Sequence, residues 1–258
     1  IFYTISITFV FAIFSKSSVN LSDWFSALTP ISHGQYWYMS CYFGLVLIAP
    51  FLNQAVLTLK KEQLLPIVSG AFIYFSVIPT VFKQDILGLW GGYSVLWMIL
   101  LYILGAIIRK SNYESRFQIR NVSRLILFLT SLTFILCWLG FEQWRSYISP
   151  TVTLQGIAIF LLFLNIKNLP LTFKKLVLLV SPLTLGVYLF HVHPLIFRRI
   201  IPTIHTLVEE QEFSMFVIII LVMTLILFFS GAIIEYFRNK LMAYILTLIK
   251  SFKNLKQT

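Results

Sequence analysis

Eight times along its 258 residues this sequence reaches or approaches the run of about 17 to 25 apolar residues that a helix needs to cross a bilayer. The runs lie near residues 1–15, 37–59, 64–82, 92–108, 122–141, 148–165, 176–194 and 213–236. A soluble domain cannot bury so much hydrocarbon: 59% of the residues are hydrophobic, only 11% are charged, and the mean hydropathy is +0.88. The expected fold is therefore all-α, a polytopic transmembrane helix bundle of about eight spans. Pro50, Pro79 and Pro182 fall inside runs, where neighbouring helices can satisfy the backbone groups they free.

The charges between the runs alternate. Lys60 and Lys61; Arg109, Lys110, Arg116, Arg120 and Arg124; Lys167, Lys174 and Lys175; and Arg238, Lys240, Lys250, Lys253 and Lys256 follow every second run and are expected on the cytoplasmic side. The intervening loops, Lys16 to Gln35, around Lys83 and Asp85, around Glu142 and Arg145, and His191 to Glu212, are expected outside. The formal charge of +11 is thus topogenic, and no nucleic-acid partner is expected. Residues 1–249 read as one membrane domain and 250–258 as a basic cytoplasmic tail lying against anionic headgroups. Ile1 falls on the cytoplasmic side inside an apolar run, with no signal-peptide pattern before it, so the sequence is expected to start part-way through a longer protein. Cys41 and Cys137 lie within apolar runs, which argues for core packing and against a disulfide framework or a metal site.

The most informative local feature is SPLTLGVYLFHVHPLIFR, residues 181–198, where an apolar run stops at two histidines and a proline and ends in Arg198, with Arg199 next. Imidazole is suited to moving a proton near neutral pH, yet an interface histidine more often caps or anchors. Two-residue spacing puts His191 and His193 on different helical faces, which argues against a shared metal. Arg198 could pair with a phosphate or carboxylate. Asn53, at membrane depth, suits either an interhelical hydrogen bond or a wet cavity. Tyr36, Trp37 and Tyr38 open the second run and suit an aromatic belt, whereas Trp90 and Tyr93, either side of the Gly91-Gly92 pair, suit a structural turn with belt aromatics or a stacking surface for a sugar. Arg109 could attract an anionic cofactor on the cytoplasmic side. No Walker loop, Gly-x-Ser-x-Gly elbow or HExxH is present.

Five pieces together, YWYMSCYFGLVLIAPFLN at 36–53, GGYSVLWMILLYILGAIIRK at 91–110, YISPTVTLQGIAIFLLFLNIKN at 147–168, LTLGVYLFHVHPLIFR at 183–198 and IEYFRNKL at 234–241, resemble the acyltransferase family 3, the integral-membrane O-acyltransferases, and within it the capsular and exopolysaccharide O-acetyltransferase branch. The resemblance implies a bundle of about ten helices, so that this chain lacks an N-terminal pair. It implies that acetyl-CoA is the acyl donor, with no metal, and that the acceptor is a hydroxyl of a surface polysaccharide or lipid-linked glycan at the bacterial cytoplasmic membrane. The family's catalytic histidine, with an arginine, is expected upstream of Ile1. Tyr36, Trp37, Asn53, Tyr93, Trp97, Tyr188, His191 and Arg198 are then candidates for the acceptor side, and Arg109 for the donor side. Val192 stands where the branch often shows an acidic residue, so the resemblance does not carry a charge relay at that position over to this chain. The rival readings are a transporter or flippase of glycan intermediates, which would favour internal repeats that are absent here, and a remnant without its catalytic helix. Oligomeric state is open.

Overall fold

The structure, a computed structural model, describes residues 1–14, 19–85, 87–110, 118–166, 168–209 and 211–255. Arg116, Lys167, Lys256 and the loop's first residue Lys16 lie outside the described residues. In chain order the helices are α1 (Phe2–Phe14), α2 (Leu21–Leu28), α3 (Trp37–Thr58), α4 (Lys61–Phe72), α5 (Ile78–Phe82), α6 (Val95–Lys110), α7 (Ile119–Trp138), α8 (Pro150–Asn165), α9 (Leu171–Val180), α10 (Thr184–His191), α11 (Pro194–Val208) and α12 (Phe213–Leu255). A π-turn, Ile73–Val77, joins α4 to α5 ahead of Pro79, whose missing N–H the wider turn accommodates. No strand occurs among the described residues, so a polytopic helical bundle is what this chain forms.

Among the described residues, six stretches are long and apolar enough to cross a membrane: Trp37–Thr58, Lys61–Phe82, Ile119–Trp138, Glu142–Asn165, Leu171–His191 and Ser214–Leu248. They coincide with six of the eight expected spans. The other two, α1 and α6, are helical but shorter, at 13 and 16 residues. The fourth run yields its first residues to the Trp90–Gly92 turn, where Gly91 and Gly92 take φ of 67° and 108°.

Three expectations are corrected. The segment His191 to Glu212 is not a loop: His193 caps α11, Pro194 occupies its first position, and Leu195, Ile196 and Ile200 form one apolar stripe. The segment Lys16 to Gln35 contains α2, capped by a reciprocal Asn20–Asp23 pair. The last helix does not stop near 236; α12 runs 43 residues, about 64 Å at the usual rise, to Leu255.

The contacts divide the chain into two units, 1–36 with 170–258, and 37–169. In the first, Tyr3, Ile7 and Ile196 form the core, with Leu189, Phe190, Ile200 and Ile234 against them, so α1, α10, α11 and α12 share one apolar centre. The α10–α12 crossing is close: a Cβ on Gly231 would meet Val187 Cα at 2.7 Å, and one on Gly186 would overlap Glu235 and Tyr3. In the second unit, Leu64, Val68, Leu89, Trp97, Leu100, Ile107 and Ile148 fill the space between α4, α6 and the connecting loops. Ile108, Val122, Ala158 and Leu161 join the end of α6 to α7 and α8.

Candidate functional site: a buried polar core and an aromatic-rimmed slot

The first unit carries a buried polar core. Glu235 is 3% exposed. Its Oε2 accepts from Tyr3 OH at 2.6 Å and from Arg238 Nε at 2.7 Å, and its Oε1 accepts from Arg238 Nη2 at 2.6 Å. The fork satisfies a carboxylate that would be costly alone in an apolar interior, and Tyr3 ties α1 to α12 through it. One residue on, Thr4 donates to the carbonyl of Ala27, which binds α2 back against the start of α1.

Close to this core the two histidines adopt opposite roles. His193, beyond the end of the span Leu171–His191, is fully buried, and its Nδ1 accepts the Leu195 N–H at 3.3 Å. That lone pair is occupied by the helix cap, so the proton of the neutral ring sits on Nε2, which has no hydrogen-bond partner. Burial holds its pKa down, to about 4; the Thr4 backbone, near but outside hydrogen-bond geometry, and the Asp23 carboxylate oppose that only partly. His191 is anchored the other way, its Nδ1 bonding the Val187 carbonyl at 2.8 Å. Nδ1–H is then the donor, and Nε2 keeps its lone pair at a partly exposed position. Of the two, His191 is the one whose geometry suits accepting a proton or a hydroxyl hydrogen bond. Tyr188 lies edge-on to His191 at 6.1 Å, and Tyr36 packs 6.3 Å from both Tyr188 and His193. The phenol of Tyr36 is buried and its pKa is pushed up, by burial first and by Tyr188 second. The expected residues Tyr36, Tyr188 and His191 are thus brought together, whereas Arg198 stands exposed on α11.

The second unit carries an aromatic cluster over a cavity. Asp85 accepts the N–H groups of Leu89 and Trp90, both at 2.6 Å, and so fixes the glycine-rich turn before α6. The Gly91 carbonyl accepts the N–H of Tyr147 at 3.0 Å, drawing in the loop before α8. Gly92 permits the approach, because a Cβ there would meet Tyr147 Cβ at 2.6 Å and Trp97 Cδ1 at 3.2 Å. The result is a three-ring cluster, with Trp37 centred 4.4 Å from Tyr93 and 5.8 Å from Tyr147, and Tyr93 5.4 Å from Tyr147. Tyr93 and Tyr147 remain 47% and 49% exposed. Beneath Trp37, Tyr38, Gly92, Trp97 and Tyr147 opens a cavity of about 460 Å³, whose walls are otherwise apolar side chains of α6 and α8 with Thr153.

Of the residues singled out in the sequence, Trp37 and Tyr93 meet in the ring cluster and Trp97 lines the cavity; Tyr147 was not among them and enters only through the Gly91–Tyr147 backbone bond. Sequence reasoning also missed Tyr3 and the Glu235–Arg238 pair, whose signal is the acidic residue inside IEYFRNKL. Asn53 does not line the cavity; it accepts from Tyr102 OH at 2.6 Å across α3 and α6. Arg109 is exposed at the end of α6, while its neighbour Lys110 caps α3 by donating to the Val56 and Leu59 carbonyls. Cys41 and Cys137 are free thiols, and no cluster of potential metal ligands occurs among the described residues.

The family model described as "acyltransferase domain", of the acyltransferase 3 type, matches residues 1–247. The chain belongs to the acyltransferase 3 family. It is accordingly a multi-pass membrane protein of an O-acyltransferase family. No curated protein and no solved structure matches it.

Proposed function

We propose that this acyltransferase moves an acetyl group from acetyl-CoA to a sugar hydroxyl of a bacterial surface polysaccharide or its lipid-linked precursor, in the cytoplasmic membrane with the C-terminus inside. The observation that carries the sugar half of the reading is the Trp37–Tyr93–Tyr147 cluster. Tyr93 and Tyr147 are held by backbone bonds of two loops and Trp37 by the start of α3; the rings leave part of their faces exposed and present phenol hydroxyls beside them. A pyranose offers the matching surface, a flat array of C–H groups edged by hydroxyls, which aromatic faces and phenols can bind together. His191, with Nε2 free to accept, is a substrate-side hydrogen-bond acceptor in this reading. Arg109, exposed at the end of α6, is the donor-side cation. Removal of the gene and its restoration provide the test. Loss of O-acetyl resonances from the purified surface polysaccharide, and their return on restoration, support the proposal; a polysaccharide whose acetylation is unchanged overturns it.

A further inference from the structure

The cavity under the aromatic cluster has a shape that the sugar does not explain. It follows α6 from Trp97 to Ile108 and α8 from Val152 to Phe160. The longer wall spans eleven residue steps, about 16 Å at the helical rise. A volume of about 460 Å³ over that length is a mean cross-section of about 28 Å², room for one hydrocarbon chain. At the slot's far end Ile108 falls in one apolar cluster with Val122, Ala158 and Leu161, which closes the floor. Polarity is confined to the mouth and its first turn, where Tyr38, Tyr147 and Thr153 stand; below them the wall is Leu, Ile, Met, Phe and two glycines. A second apolar groove, about 450 Å³ between α4, α6 and α8, has no tyrosine or tryptophan at either end and so nothing to hold a polar head.

We infer that the slot receives the hydrocarbon tail of an acceptor that is itself a glycolipid, with its sugar held at the Trp37–Tyr93–Tyr147 mouth. This rests on the sugar-acceptor reading above and narrows it to the lipid-linked form. An anionic phospholipid head leaves the exposed aromatic faces unused, whereas a prenyl- or acyl-linked sugar uses both ends of the site at once. Tail burial removes apolar surface from neither water nor bilayer at large gain, so selectivity lies in the simultaneous fit of head and tail.

Gly105 and Gly156 line opposite walls, and an added Cβ at either meets nothing within 4 Å. Leucine at these positions therefore projects into the slot with no backbone in its way. The experiment uses the full protein in nanodiscs and a prenyl-diphosphate sugar carrying a diazirine in its tail. Expected are photolabels on α6 and α8 peptides, at least tenfold more sensitive to unlabelled prenyl-linked sugar than to phosphatidylglycerol, and lost in Gly156→Leu and Gly105→Leu. The same variants are expected to lower acetyl transfer to the lipid-linked acceptor at least tenfold more than transfer to the same oligosaccharide without lipid. Labelling that phospholipid competes equally, or that both leucine variants keep while remaining folded, overturns the tail assignment. Transfer to neither acceptor by the wild-type protein overturns the acetyl-transfer reading instead, and the labelling pattern still decides the slot.

Discussion

Replacing Gly186 by alanine is a single-carbon test of the Tyr3–Glu235–Arg238 core. In an exposed helix the change would stabilise by up to about 1 kcal/mol through propensity. Here the new Cβ overlaps Glu235 Cβ and Tyr3 OH and stands 2.6 Å from Glu235 Cγ, about 1 Å inside the separation at which carbons rest. Either α10 and α12 part or Glu235 leaves its partners. Overpacking of this kind costs about 1 to 3 kcal/mol, and loss of the charged Tyr3–Glu235 hydrogen bond about 1.5 to 3 kcal/mol more. After the propensity gain, a net destabilisation of roughly 1.5 to 5 kcal/mol is expected. Reversible unfolding in one fixed micelle composition measures it, with Gly105→Ala as the internal standard, since its Cβ meets nothing and should be neutral or stabilising. Tyr3→Phe removes one overlapping atom, so the double variant should lose less than the sum of the singles. If Gly186→Ala is as stable as Gly105→Ala, or if the pair with Tyr3→Phe is additive, the close approach of α10 to α12 and the buried core built on it are wrong.

Other outcomes follow from the same geometry. Because His193 is held neutral with its pKa at about 4 against an ordinary 6.5, the unfolded chain binds a proton that the folded chain refuses. Stability is fully present above pH 6.5 and falls by about 3 kcal/mol as the pH drops toward 4; His193→Asn, which can still accept the Leu195 N–H, should flatten that slope in a denaturation series across the window. Asn53→Ala and Tyr102→Phe should each cost about 0.6 to 1.7 kcal/mol in stability while leaving acyl transfer within twofold, as measured by steady-state kinetics. Tyr147→Ala should raise the acceptor KM by about 2- to 12-fold, the worth of one aromatic contact of 0.5 to 1.5 kcal/mol, with the acetyl-CoA KM unchanged.

Most of the helical framework was legible in the sequence because hydropathy is a local property: a run such as Trp37–Thr58 has little choice but to be a helix. The segments that escaped are those in which apolar and polar residues share one helix. In PLIFRRIIPTIHTLV the arginines at 198 and 199 lower the window average, although Leu195, Ile196 and Ile200 line one face, so α11 read as a loop. Arg238 read as a topogenic charge at the edge of the last span, because nothing local reveals that Glu235 three residues earlier is buried against Tyr3, 232 positions away in sequence. The site divides in the same way. Trp37 and Tyr93 announce themselves as aromatics at the ends of apolar runs, whereas Tyr147 matters only once the Gly91 carbonyl has fixed its loop. The opposite tautomers of His191 and His193 depend on one helix-internal carbonyl and one helix cap, neither of which the spacing of the two residues discloses.

The central claim is that an acyltransferase of this family uses the Trp37–Tyr93–Tyr147 mouth to hold a sugar while an acetyl ester forms. The most direct measurement is transfer of labelled acetyl from acetyl-CoA to a glycan acceptor by the protein, expressed from its complete reading frame and reconstituted in liposomes, with and without Trp37→Ala and Tyr147→Ala. The account predicts labelled ester on the glycan in the wild-type protein and at least a tenfold loss of kcat/KM for the glycan in the folded double variant. Label that never leaves acetyl-CoA, or a double variant that acetylates the glycan as well as the wild type, contradicts it.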